Sequence, residues 1–181
     1  MTTGPATPDH PGQEATPLPG VVWGVDVGLA RVGVASGDPD GVLATPVETV
    51  AVAPAPAALD RVVQLVRQEE RSTGVVVGLP RHLDGHESTS AAEARRWATA
   101  LASRLGPTIR VWLVDERLST VAASRGMRQA GVRAKEQRTR IDQAAAVEIL
   151  QMSLDAWRRG SRIGELVPGR KPRRRAAGRT P

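Results

Sequence analysis

Acidic residues at three places in this chain of 181 residues, one of them a pair of neighbours, could together hold a metal ion. Asp26 lies inside the valine- and glycine-rich stretch VVWGVDVGLARVGVASGD, where an unpaired charge is costly to take out of water. Asp115 and Glu116 end the apolar stretch IRVWLVDE, and Asp142 opens the stretch IDQAAAVEILQ. Taken singly, each of these acids is typical of a turn, a cap or the first turn of a helix. Their combination is what suggests a site.

Carboxylates that converge repel one another unless a cation neutralises them. The chain contains no cysteine, and its three histidines show no spacing typical of metal ligands, so a zinc site is not expected. Ligand sets made only of oxygen favour Mg²⁺ or Mn²⁺. If Asp26, Glu116 and Asp142 converge, such an ion would make the burial of Asp26 tolerable.

The elements that must position these acids can be predicted from hydrophobic periodicity. Short β-rich runs joined by glycine-containing turns predict three consecutive strands, and continuous apolar runs predict two further strands that are buried on both faces. Apolar residues at helical spacing predict helices between and after them. The predicted strands cover residues 21–27, 31–37, 41–50, 74–80 and 109–116, and the predicted helices cover 57–70, 90–105, 119–129 and 141–157, with a basic loop over 131–140.

This order predicts an α/β fold with a mixed five-stranded sheet flanked by helices. The first three strands should be antiparallel, and the two that follow helices should be parallel. Sites in such sheets form at the carboxyl ends of strands, where Asp26 and Glu116 fall. The alanines that follow Asp142 should let the last helix lie close to the sheet, so the three acids are expected to converge.

Composition limits the classes of protein to which the chain can belong. Residues 1–20 contain five prolines, and residues 164–181 are rich in arginine and proline, so both are predicted to be disordered tails around one domain at 21–163. The net charge of +6 favours polyanionic partners. No apolar run is long enough for a membrane span and no secretory signal is evident, so a cytoplasmic protein is expected.

The motifs resemble one known family. VDVGLARVGVASGD, GVLATPVETV, VVVGLPRHLDG, VDERLST and IDQAAAVEILQ occur in the order and spacing of the bacterial pre-16S rRNA nuclease family, which is also described as Holliday-junction-resolvase-like. The resemblance implies a ribonuclease H-like fold and a metal-dependent nuclease that processes the 5′ end of pre-16S rRNA. It assigns catalysis and metal binding to Asp26, Glu116 and Asp142. His82 stands where the family usually has asparagine.

Several basic residues are candidates for binding nucleic acid. Arg31 matches a basic position in the family's first motif, and Arg117 follows Glu116; each could hold a phosphate or pair with the acids. The stretch 125–140 contains six basic residues and one acid. It is either a solvated surface or a contact with the phosphate backbone, for which the candidates are Arg125, Arg128, Arg133 and Lys135.

Two other functions remain open from the sequence. The same chemistry could act on branched DNA, as in the resolution of Holliday junctions, and a resolvase would act as a dimer on a symmetric junction. Alternatively, the chain could bind rRNA as an assembly factor without cutting it, and this role would survive loss of the acids. The sequence leaves the oligomeric state open.

Overall fold

The computed structural model describes residues 19–54, 56–80, 89–115, 135–162 and 164–169; within 135–142 it describes the backbone alone. These residues form six strands and three helices. The strands are β1 (Val21–Val27), β2 (Arg31–Gly37), β3 (Ala44–Ala51), β4 (Ser72–Leu79), β5 (Arg110–Asp115) and β6 (Glu165–Val167). The helices are α1 (Ala57–Gln68), α2 (Thr89–Leu105) and α3 (Lys135–Arg158). No helix in the described residues is long and apolar enough to cross a membrane.

The strands form one mixed sheet in the order β3-β2-β1-β4-β5-β6. The first three strands pair antiparallel, because short turns join them, and β4 and β5 pair parallel, because α1 and α2 provide the crossovers. The predicted mixture of antiparallel and parallel strands is therefore confirmed, as are the α/β class and the helices predicted at 57–70, 90–105 and 141–157. The helix predicted at 119–129 lies outside the described residues.

The predicted number of five strands is wrong, because β6 adds a sixth strand antiparallel to β5. This strand falls inside residues 164–181, which the sequence analysis assigned to a tail. It is only three residues long, too short to show hydrophobic alternation. Arg95 on α2 forms a salt bridge of 2.8 Å with Glu165, which helps to fix β6 on the sheet edge. Residues 170–181 lie outside the described part of the chain.

The two faces of the sheet carry different helices. Val25 and Val27 on β1 belong to a core packed against α1 and α2. Val22 on the same strand belongs to a second core, which is packed against α3. Successive side chains of a strand point to opposite faces, so the even-numbered residues of β1 lie on the α3 face. This alternation decides which acids can share a site.

Helix α3 begins earlier than predicted. Residues 135–140 were assigned to a loop, but they are helical and extend the predicted helix at its amino end. The helix packs across β1, β2 and β3 through small and aliphatic side chains. Those most buried are Ala145, Ala146, Ile149, Leu150, Ser153 and Leu154. Of the predicted apolar stripe, Leu150 and Leu154 are central, whereas Val147 and Trp157 are only partly buried.

Candidate active site at the carboxyl end of the first strand

Asp26 is buried next to the end of β1. Asp26 is 5% exposed and pairs with Gly33 of the neighbouring strand β2. Because side chains alternate between the two faces of a strand, Asp26 lies on the α3 face. Asp26 and Ser153 are the only buried polar side chains among the described residues. The hydroxyl of Ser153 donates to Ile149 O within its own helix at 2.8 Å, so local structure accounts for it. Asp26 is therefore the one buried charged side chain in the described part of the fold.

Helix α3 reaches the backbone of β1 at Gly24, two residues before Asp26. A Cβ atom at Gly24 would lie 2.6 Å from Leu150 Cβ and 2.7 Å from Ala146 O, closer than real Cβ contacts occur. The close approach expected from the alanines after Asp142 is confirmed, because Ala145 and Ala146 are fully buried. The packing role of Gly24 was not predicted, although an isolated glycine inside a strand indicates close approach of another backbone.

The direction of α3 brings its amino-terminal part toward Asp26. Near the other end of β1, a Cβ atom at Gly37 would lie 3.2 Å from Val22 O and 3.3 Å from Leu154 Cδ1. The helix therefore runs antiparallel to β1. Residue 142 precedes Ala146 by one turn, about 6 Å, and Asp26 follows Gly24 by two strand residues, about 6.6 Å. The backbone of residue 142 thus lies near the level of Asp26.

The end of β5 lies two strands away from Asp26 in the sheet. Val25 of β1 pairs with Val77 of β4, and Leu79 of β4 pairs with Asp115, so β1 and β5 end at similar levels. Val111 and Leu113 belong to the core that packs against α1 and α2. Because alternate residues of a strand share a face, Asp115 lies on that same face. Asp115 is half-buried and lies on the face opposite Asp26, so the structure does not bring these two acids together.

Arg31 lies at the same end of the sheet as Asp26. It is the first residue of β2 and is half-buried. Because it precedes Gly33 by two residues, it lies on the same face of the sheet as Gly33, which is the α3 face. The backbone N–H of Gly28 donates to Arg31 O at 2.9 Å and closes the turn between β1 and β2. A Cβ atom at Gly28 would lie 2.8 Å from that oxygen, so the turn requires glycine at this position.

The remaining sequence-predicted site residues are not located at the level of their side chains. Five of them, together with His82, lie outside the described residues: Glu116, Arg117, Arg125, Arg128 and Arg133. Lys135 and Asp142 are residues of α3 whose backbone alone is described. No group of three or more metal-binding side chains occurs among the described residues. Asp26 and Arg31 are therefore the two predicted site residues whose side chains the structure describes.

The fold is similar to that of a solved structure of RuvC. The solved structure titled "T. thermophilus RuvC in complex with Holliday junction substrate" superposes with a TM-score of 0.51 over 80% of this chain and 99% of that chain. The sequence identity is 16%, so this likeness concerns the fold alone. It agrees with the ribonuclease H-like fold that the motifs implied.

Curated relatives cover most of the chain. A protein of Streptomyces coelicolor named "Putative pre-16S rRNA nuclease" is 55% identical over 148 residues, which are 82% of this chain and 83% of the relative. A protein of the same name from Mycolicibacterium paratuberculosis is 54% identical over 156 residues, which are 86% of this chain and 92% of the relative. The sequence model of the RuvX family, described as Holliday junction resolvase, matches residues 20–156. The resemblance seen in the motifs is thereby confirmed, and the chain belongs to the RuvX family.

Proposed function

We propose that this protein is a metal-dependent nuclease of the cytoplasm that processes the 5′ end of pre-16S rRNA, with Asp26, Glu116 and Asp142 as its catalytic acids. The observation that carries the proposal is the buried carboxylate of Asp26, on the sheet face that α3 covers. The backbone of residue 142, near the level of Asp26, supports the second acid. The names of the relatives support the substrate.

The chemistry of the donor set fits Mg²⁺ or Mn²⁺. The Asp26 carboxylate is a hard oxygen ligand, and the chain contains no cysteine thiolate that would favour a softer metal. Asp26, Glu116 and Asp142 would hold the ion, and Glu116 would also orient the attacking water. When bound, the ion supplies an activated water and stabilises charge on the leaving oxygen.

The geometry of the sheet bears on the choice between Asp115, the last residue of β5, and Glu116, the next residue of the chain. Strand β4 separates β1 from β5, so the two backbones are roughly 10 Å apart. Asp115 lies on the face opposite Asp26, so we assign the catalytic role to Glu116 and not to Asp115. Glutamate has one methylene more than aspartate and spans this separation better. Glu116→Asp should therefore lose most of the cleavage, whereas Asp115→Asn should keep it.

The basic residues would hold the phosphate backbone of the substrate. Arg31 lies at the catalytic end of the sheet, where a guanidinium can bind a phosphate in bidentate fashion. Helix α3 begins at Lys135, eleven residues before Ala146, so about 16 Å of helix precedes its crossing with β1. This length carries the helix beyond the level of Asp26. It supports a substrate contact by Lys135, next to those proposed for Arg117, Arg125, Arg128 and Arg133.

Resolution of branched DNA is the second candidate, and the description of the family model favours it. Purified protein should be incubated with ribosome-associated precursor rRNA and, separately, with a synthetic four-way DNA junction, each with and without Mg²⁺ or Mn²⁺. Mapping of the 5′ ends should show metal-dependent cleavage of the rRNA at one position and no paired cuts in the junction. Symmetric cuts in the junction by a dimer, with intact rRNA, would instead establish the resolvase.

Substitution of Asp26 separates a nuclease from a non-catalytic assembly factor. Asp26→Asn should fold with unchanged or slightly raised stability in the absence of metal, because one source of repulsion is removed, and should still bind RNA. Cleavage should fall by orders of magnitude, while the matched variant Asp115→Asn should cleave normally. If Asp26→Asn restores 16S rRNA maturation in cells as well as the wild type does, the result favours the role of a non-catalytic assembly factor.

A further inference from the structure

The turn between β1 and β2 carries an exposed leucine at the catalytic end of the sheet. Leu29 is 81% exposed, more than any other large hydrophobic residue in the described part of the chain. Two-residue hairpin turns usually contain glycine, asparagine or aspartate, because these residues adopt the required backbone at little cost. Neither core packing nor turn chemistry therefore explains leucine at this position.

Backbone hydrogen bonds hold the turn firmly. Gly28 N donates to Arg31 O at 2.9 Å across the turn, and Val52 N after β3 donates to Ala30 O at 3.0 Å. The turn is thus anchored on both sides of Leu29 to the antiparallel half of the sheet. A side chain on a turn that is already ordered can contact a ligand without the entropic cost of ordering a loop on binding.

Leu29 follows Asp26 by three residues, so their Cα atoms are at most about 10 Å apart, or roughly three stacking distances of 3.4 Å in a nucleic acid strand. Arg31 lies two residues further along at the same end. An apolar side chain beside a cationic one is the combination with which proteins unstack a base step while holding its backbone. We propose that Leu29 inserts against a base within about three nucleotides of the scissile phosphate and unstacks it, and this inference rests on the proposed nuclease function.

The test uses RNA spanning the mapped cleavage position, with 2-aminopurine placed in turn at each of about three positions on either side of it, because unstacking raises the fluorescence of this probe. The full-length chain carrying Asp26→Asn is used so that the RNA is bound without being cut. Binding should raise the fluorescence several-fold. Adding Leu29→Ser should abolish most of this rise, whereas Leu29→Met should retain it.

Leu43 provides a matched control. It is also an exposed leucine, at 58%, but it lies between β2 and β3 at the opposite end of the sheet from Asp26. In the otherwise wild-type chain, Leu29→Ser should lower kcat at least tenfold with unchanged melting temperature, and Leu43→Ser should not. Equal fluorescence and equal kcat in these two variants would overturn the inference.

The outcomes also separate this inference from the proposed function. Wild-type protein that does not cut rRNA, or Asp26→Asn that cuts it normally, would refute the nuclease itself. Wild-type cleavage with no effect of Leu29→Ser would refute only the role of Leu29. A defect of Leu29→Ser confined to ribosome-bound precursor, with unchanged fluorescence on free RNA, would assign the side chain to a protein contact and would equally overturn the inference.

Discussion

Replacement of Gly24 by alanine should damage both the stability and the site, because the added methyl group has no space. The new Cβ would lie 2.6 Å from Leu150 Cβ and 2.7 Å from Ala146 O. One of these atoms belongs to the backbone of α3 and the other is fixed to it directly, so a change of rotamer cannot relieve the contact. The helix itself must move away from β1.

The expected loss of stability can be estimated from similar overpacking. Inserting a methyl group into a well-packed core costs about 1–3 kcal/mol when the backbone must shift. For a domain of this size, about 2 kcal/mol corresponds to a fall in melting temperature of roughly 6 °C. Truncating Leu150 to alanine in the same chain should not restore the stability, since alanine keeps the Cβ atom that makes the contact.

The effect on catalysis should exceed the effect on folding. Displacing α3 near Ala146 also displaces residue 142, one turn earlier, relative to Asp26. At a temperature where Gly24→Ala is fully folded, its kcat on precursor rRNA should therefore fall by at least tenfold. Thermal melts and 5′-end mapping on the same preparation measure the two effects separately.

Two other glycines serve as controls. At Gly74 an added Cβ would lie 2.6 Å from Trp112 Cζ3, at the amino end of β4 and far from Asp26, so Gly74→Ala should lower stability without the tenfold loss of kcat. At Gly169 the nearest atom would be 3.8 Å away, so Gly169→Ala should change neither quantity. A Gly24→Ala variant that melts like Gly169→Ala would refute the packing argument, and one as active as Gly74→Ala would refute its link to the site.

Three further predictions concern the support of the fold and the binding of RNA. Gln151→Ala removes the acceptor for the buried Ala44 N–H (2.8 Å) and the Nε2 donor to Val42 O (2.9 Å), and should cost about 1–3 kcal/mol in urea melts. Gln151→Glu keeps the acceptor but loses that donor and places a second carboxylate beside Asp155, so it should not restore the stability. The pKa of Asp38 in the folded protein is lowered from its usual value of 3.8, mainly by backbone N–H donors. The ionised carboxylate therefore stabilises the fold at pH values above 3.8, and this stabilisation is lost as the pH falls through the lowered pKa of the folded state. Asp38→Ala should therefore lower the melting temperature at pH 7 and have a smaller effect at pH 2. Deleting 170–181 should flatten the salt dependence of RNA binding and leave the melting temperature unchanged. Deleting 164–181, which also removes β6, should in addition lower the melting temperature. An unchanged salt slope would show that the basic residues of 170–181 do not contact phosphates.

Much of the fold followed from local patterns, because each pattern reports burial directly. The valine runs of β1, β4 and β5 predicted strands close to their observed bounds, and the chain order predicted their directions. β6 was missed because three residues cannot show a period, and its place is set by pairing with β5 rather than by its own sequence. The start of α3 was missed because polar and basic residues at 135–140 do not distinguish an exposed helix from a loop.

The burial of Asp26 could be predicted for a different reason. Asp26 could be found because a carboxylate in a valine-rich strand conflicts with its surroundings, and such conflicts mark functional positions. The glycine at 24 indicates the close approach of another backbone, but the sequence does not show which element approaches it. The crossing of α3 over Gly24 is a tertiary fact that only the assembled sheet reveals.

The point at which the described chain leaves the sheet favours separate roles for the basic residues of 170–181 in RNA binding and for the proposed site at Asp26 in cleavage. Strand β6 pairs Val167 with Val111, so the chain leaves the sheet at the amino end of β5, and residues before Val21 enter at the amino end of β1. Both points lie at the end of the sheet opposite Asp26. Val111 and Asp115 alone are four strand residues, about 13 Å, apart. Basic residues that start from this end can raise the affinity for a large RNA without touching the scissile phosphate, so their loss should raise KM and leave kcat unchanged.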